Sequence, residues 1–156
     1  MAQIEGEIMI RRPVGEVFDF VADVRNEPRY NPHMTAASLL TPEPIGRGSR
    51  FHAELRMLGR LVDLNVEVTC FERPRRLGST SWSLPRGRRG QPMRTDGTLT
   101  FDPVPDGTRM RWSWQVEIPG AMKLLAPLIV RVGRRQEQRI WGSLKRLLEE
   151  QVRPDG

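Results

Sequence analysis

With one cysteine, one tyrosine, two histidines and two lysines among 156 residues, this chain lacks the raw material of several protein classes. The single Cys70 excludes an internal disulfide, and its apolar strand context (Val66, Val68, Phe71) reads it as a small buried hydrophobe. Two histidines and one cysteine cannot supply the usual metal-ligand spacings, so no metal site is expected. No Walker-type phosphate loop, dinucleotide fingerprint or nucleophile elbow is present, and Gly46-Arg47-Gly48 reads as a turn, not a phosphate cradle. No cofactor is therefore expected. There is no apolar run of about 18 residues and no apolar signal-peptide core, so no transmembrane segment is expected and the cytoplasm is the default compartment.

What is abundant is arginine. The formal charge is +6, and all but two of the 25 basic residues are Arg, scattered from Arg11 to Arg153. The one local concentration, Arg86-Gly87-Arg88-Arg89 with Arg94 beyond it, has no interleaved aromatics on which bases would stack. It reads as a solvated hairpin loop, with a phosphate- or membrane-facing rim as the sharper reading, and no nucleic-acid partner is expected. The length suits a single domain over residues 1–156, able to bury roughly 70% of its unfolded surface.

Most of the chain alternates like strands. Ile4, Gly6, Ile8 and Ile10 oppose Glu5, Glu7 and Met9 in a first strand over Gln3 to Arg11. Pro13 then suits the first turn of a helix whose stripe is Val14, Val17, Phe18 and Val21, and Pro28 and Pro32 confine Asp23 to Pro32 to a second short helix or turn. Six strands follow: Met34–Leu40, Ser49–Met57, Arg60–Phe71, Leu77–Leu84, Met93–Phe101 and Thr108–Ile118. The pair around Leu58-Gly59 is the clearest hairpin, with Phe51, Ala53 and Leu55 on one face of its first strand. In the second, Val62, Leu64, Val66, Val68 and Cys70 oppose Asp63, Asn65, Glu67 and Thr69. Pro103 to Gly107 forms the last turn, and Met110, Trp112, Trp114 and Val116 make the richest apolar face of any strand.

After Pro119-Gly120 comes a short turn to Ala126 and then one long helix from about Pro127 to Gln151. Leu125, Ile129, Val132, Gly133, Gln136, Ile140, Leu144 and Leu147 share its apolar face, while Arg131, Arg135 and Lys145 are expected to be exposed. The expected architecture is α+β: a curved antiparallel sheet of about seven strands wrapping the long C-terminal helix, with two short helices after the first strand.

This order and its punctuation resemble the START-like helix-grip superfamily, specifically the polyketide cyclase/dehydrase and lipid-transport group called SRPBCC. The residues that carry the resemblance span nearly the whole chain. They are Ile10, Pro13, Val17, Phe18, Val21 and Asp23; Pro28-Arg29-Tyr30-Asn31-Pro32, with Tyr30 where a Trp is common; Gly46-x-Gly48-Ser49; Phe71 to Leu77; Asp106-Gly107-Thr108-Arg109; and Leu144-Lys145 with Glu149. The resemblance implies a cavity between sheet and helix that takes lipids, polyketides or similar molecules. It carries over no catalytic residue, because the shared positions are structural.

The expected function is binding or carriage of a small hydrophobic molecule, with a polyketide aromatase/cyclase or dehydratase as the alternative. Candidate walls are Phe51, Leu55, Val66, Trp112, Trp114, Leu125, Ile129 and Ile140. Gln136, the polar residue of the apolar stripe, is the candidate anchor, either for a ligand or for a partner on the sheet. His33 and His52 read as surface residues, and Asp63, Asn65 and Glu67 as the outer face. Trp82 is open to either face, and the oligomeric state is not legible. A buried acid with a strongly raised pKa in the cavity would favour the enzyme.

Overall fold

The computed structural model describes residues 2–150 apart from 88 and 91, and of residue 121 the backbone alone. Strand β1 (Ala2–Ile10) leads through Pro13 into helix α1 (Val14–Ala22), and Asp23 caps a 3₁₀ helix, Val24–Arg29, by accepting from the Arg25 backbone N–H at 3.0 Å. Then come β2 (Met34–Leu39), β3 (Arg50–Met57), β4 (Arg60–Glu72), β5 (Arg76–Pro85), β6 (Met93–Val104) and β7 (Gly107–Val116). A second 3₁₀ helix, Gly120–Leu125, feeds helix α2 (Ala126–Glu150). Gln151 and Arg88 lie outside the described residues.

All seven strands form one antiparallel sheet in the order β1-β7-β6-β5-β4-β3-β2, a meander whose first strand closes onto its last. The sheet curves around α2. At one end α1 plugs the concave face: Phe18 is fully buried and meets Phe71 and Phe101 edge-on, each at 5.2 Å between ring centres. Leu58-Gly59 is a two-residue hairpin turn with both residues left-handed, with φ of 51° and 75°, the geometry that matches strand twist. At the α1 end of the sheet, opposite that hairpin, β6 and β7 pair as far as Val104 and Gly107. The turn there is therefore shorter than the Pro103 to Gly107 stretch suggests.

Two features depart from simple alternation. Residue 69 is bulged out of β4, so Val68 pairs with Ser79 but Cys70 pairs with Gly78. The extra residue reverses the phase of the strand. Phe71 therefore turns into the core, and Cys70 ends half-buried on the outer face, not inward beside Val68.

The second departure is the phase of α2. Its buried residues are Ile140, Trp141, Leu144 and Leu148. At 100° per residue the inner stripe thus runs Gly133, Glu137, Ile140, Trp141, Leu144 and Leu148, a rotation away from the expected face. Leu125 and Val132 lie on the other side, 51% and 55% exposed. Leu125 belongs to the tighter 3₁₀ turn and does not continue the face of α2. Arg131 and Arg135 are exposed as expected. Lys145 is not: its ammonium donates to the Met9 carbonyl at 2.6 Å and to Glu149 at 2.8 Å, while Glu149 accepts from the Arg11 backbone N–H at 2.9 Å. These contacts sew the end of the helix to β1.

Candidate functional site

Two glycines let tryptophans lie flat on the sheet. A Cβ at Gly97 would overlap the ring of its cross-strand neighbour Trp114, and one at Gly6 would overlap the ring of Trp112. Trp112 is buried in the core and stacks at 5.9 Å on Trp141, which stands at the same distance from Tyr30. Trp114 is left with part of its ring free.

Beside it is a cavity of about 290 Å³. The sheet supplies Leu55, Leu64, Val66, Ser79, Ser81, Thr95, Leu99 and Trp114 as its floor. Helix α2 supplies Gln136, Glu137, Ile140 and Trp141 as its roof, and the segment after α1 closes one end with Val24, Glu27, Tyr30, Asn31 and His33. The volume is near the lower limit of ligand pockets, about 300–1,000 Å³.

Five of the nine candidate residues thus meet around one space: Leu55, Val66, Trp114, Gln136 and Ile140. The other four are elsewhere. Phe51 and Trp112 are sealed in the core behind the wall, Leu125 is on the surface, and Ile129 packs on a separate cluster with Ala2, Ile4, Val116 and Ile118. Trp82 pairs with Asn65 and Arg94 on the outer face, because Ser81 and Ser79 take the inner one. His33 lines the cavity, contrary to the expectation of a surface residue. The Asn31 side-chain carbonyl accepts from the His33 backbone N–H at 3.0 Å, and this local turn folds the Pro32-His33 step over the cavity. His52 is on the outer face as expected. It is 3.2 Å from Asp63, and Arg86 bridges Asp63 and Glu54 at 2.9 and 2.8 Å.

The feature that strand and helix patterns miss is a pair of acids inside. Burial pushes the Glu27 carboxyl up to about 7; the Asn31 amide, donating to it at 3.0 Å, pulls the other way, and the nearby Glu137 charge adds to the rise. Glu137 is raised too, by burial, although Trp141 Nε1 donates to it at 2.8 Å. Trp114 Nε1 also lies near Glu137, but it meets no hydrogen-bond geometry and has no other partner among the described residues. Tyr30 rises well above the ordinary phenol range, from burial and then from both carboxylates. One cavity therefore holds two acids held above the ordinary carboxyl range, an indole N–H unpaired among the described residues and a broad apolar floor. Glu27 sits in the proline-punctuated segment that reads as a mere turn. Glu137 is legible only once Trp141 and Leu148, not Leu125 and Val132, define the helix stripe.

Gln136 stands where this cavity meets an outer groove, which is lined by Pro32, His33, Val132, Arg135, Gln136, Arg139, Ile140 and Ser143. No group among the described residues hydrogen-bonds its side chain, so a tie to the sheet is not seen. Among the described residues no group of three or more His, Cys, Asp or Glu is placed to hold a metal ion.

Comparison with known proteins places this architecture. The family model described as polyketide cyclase/dehydrase and lipid transport matches residues 1–149. A START superfamily protein from Mycobacterium smegmatis superposes with a TM-score of 0.76 at 14% identity, over 97% of this chain and 100% of that one. A conserved protein from Geobacillus kaustophilus gives 0.76 at 15%, over 95% of each chain, and a Thermus thermophilus protein 0.74 at 20%, over 96% and 99%. At these identities the likeness is one of fold. A comparison with curated protein sequences finds no match.

Proposed function

Because the chain belongs to the polyketide cyclase/dehydrase and lipid-transport family, we propose that its cavity binds a small, mostly apolar molecule whose hydrogen-bonding group meets Glu27 and Glu137. The observation that carries this reading is the cavity of about 290 Å³ with an acid pair at one end and Leu55, Leu64, Val66 and Leu99 on its floor. A floor of that kind rewards apolar contact at about 25 cal/mol per Å² buried. A protonated carboxyl donates a hydrogen bond and an ionised one accepts, so the pair suits a hydroxyl, phenol or carbonyl group of the ligand. Trp114 Nε1, without a partner of its own, is a further donor for a ligand oxygen.

Tryptophan emission tests this. Trp114 and Trp141 both border the cavity, so titration with a panel of lipids, sterols and polyphenols is expected to give a saturable change for the members that fit. Glu27→Gln is expected to weaken binding of those with a polar group and to leave purely apolar ones unaffected. A panel without any saturable change overturns the reading.

A second reading, proton-transfer catalysis, is favoured by one specific observation, the Glu27 carboxyl at about 7 beside Glu137. A pair holding one proton has a base and an acid side by side. In loss of water from a β-hydroxy ketone, the ionised carboxylate takes the proton α to the carbonyl, and the protonated carboxyl gives its proton to the departing hydroxyl. The C–H electrons become the new double bond and water leaves. This reading expects turnover of such a compound to follow the ionisation of the pair with pH and to vanish in Glu27→Gln; binding without turnover leaves the protein a carrier.

A further inference from the structure

We propose that the outward face of α2 docks on an anionic lipid bilayer and so presents the mouth of the cavity to the membrane. Along α2, Leu128, Arg131, Val132, Arg135 and Arg139 fall within about 100° of one another on the side opposite Glu137 and Leu144, at 100° per residue. The face continues into the preceding 3₁₀ helix, where Leu124 is 93% exposed. Leu128 and Val132 are 58% and 55% exposed. A single exposed leucine is ordinary, but a row of large apolar side chains bordered by arginines has the composition of a helix that lies in a bilayer surface.

Charge selects the occupant. Between Glu117 and Glu137 the chain carries no acidic residue, and Lys123, Arg131, Arg134 and Arg135 all fall in that stretch. None of these four, nor Arg139, forms an ion pair among the described residues. At the β5–β6 end, by contrast, Arg86 is held by Glu54 and Asp63, and Arg94 by Asp96. Arg131, Arg135 and Arg139, none of them in an ion pair among the described residues, thus share one helix face with the exposed apolar row. A second copy of this chain would bring like charges together, whereas an anionic surface neutralises them and takes up the leucines as well.

The same face borders the groove. Val132, Arg135 and Arg139 line it, and it shares His33, Gln136 and Ile140 with the cavity. Docking by this face places the groove at the headgroups, so an apolar molecule passes between bilayer and cavity without crossing bulk water.

Flotation with vesicles of phosphatidylcholine alone and of phosphatidylcholine with about one third phosphatidylglycerol tests the proposal without any cavity ligand, so its outcome is independent of the function proposed above. Wild type is expected to float with the anionic vesicles, to stay behind with the neutral ones, and to be released by high salt. Each Lys or Arg near such a surface is worth about 1 kcal/mol, so R131E/R135E is expected to weaken binding at least about tenfold. L128S/V132S is expected to weaken it as well, and both pairs should leave the melting temperature near wild type because the side chains are exposed. Vesicle binding unchanged in both double variants, equal binding to neutral vesicles, or self-association through this face in place of vesicle binding would each overturn the proposal.

Discussion

Glu27 holds its proton well past the point where an exposed glutamate has lost it. Its unfolded value is near 4.5 and its folded value about 7, so between those pH values the folded state binds more protons than the unfolded one. The stabilisation is therefore fully present below about pH 4.5 and is lost as pH rises through 7, by up to about 3 kcal/mol for the whole shift. Glu137, raised in the same direction, adds to the loss. Glu27→Gln keeps an oxygen for the Asn31 donor and removes the titration. Its thermal stability is expected to equal wild type near pH 4.5, to exceed it at pH 8 and to change less in between; coincident stability profiles would show that Glu27 titrates normally. At Gln136, which has no protein partner among the described residues, Gln136→Leu is expected to leave stability within about 0.5 kcal/mol. Affinity for a ligand with a polar group, read by the tryptophan titration, is expected to fall by about 1 kcal/mol. The amide's position in the stripe marks it in sequence, whereas its role at the boundary of cavity and groove depends on Pro32-His33, about a hundred residues away along the chain.

Among the elements, strands were the more legible. The alternation in β1, β3 and β7 places Ile4, Phe51 and Met110 inward without ambiguity, because a period of two leaves only two choices and charged or polar side chains fill one of them. The bulge in β4 was not legible, since Val68-Thr69-Cys70-Phe71 is apolar enough to satisfy either phase. The face of α2 was misjudged for a related reason: Leu124, Leu125, Leu128 and Val132 add hydrophobic weight on the outside, and a periodicity count cannot distinguish a face turned to the core from one turned to another apolar surface. The tryptophan–glycine pairs join neighbouring strands by register. Gly97→Ala must displace the Trp114 ring, so a loss of about 1–3 kcal/mol in chemical denaturation, with altered tryptophan emission, is expected. Gly46→Ala, where an added Cβ meets nothing within 4 Å, serves as the control. In the Leu58-Gly59 turn, Leu58→Asn is expected to raise stability by about 0.5–1 kcal/mol, because asparagine tolerates positive φ better than leucine.

At the scale of the molecule, the sheet, the plug around α1 and the sewn end of α2 build a container whose fold the element order announces. Its contents depend on contacts between segments far apart in the chain. Glu27 precedes Glu137 by more than a hundred residues, and neither carries a motif; only the fold makes them a pair. The central claim is that the space between them and the floor of β3 to β6 is a binding site. Native mass spectrometry of freshly purified protein, beside Ser81→Phe as a variant that fills the cavity, tests it most directly. The account expects wild type to carry a bound small molecule, or to take one up from the tested panel, and the filled variant to carry none while keeping its fold by circular dichroism. Equal occupancy of wild type and the filled variant, or no occupancy of wild type by any panel member, would contradict it.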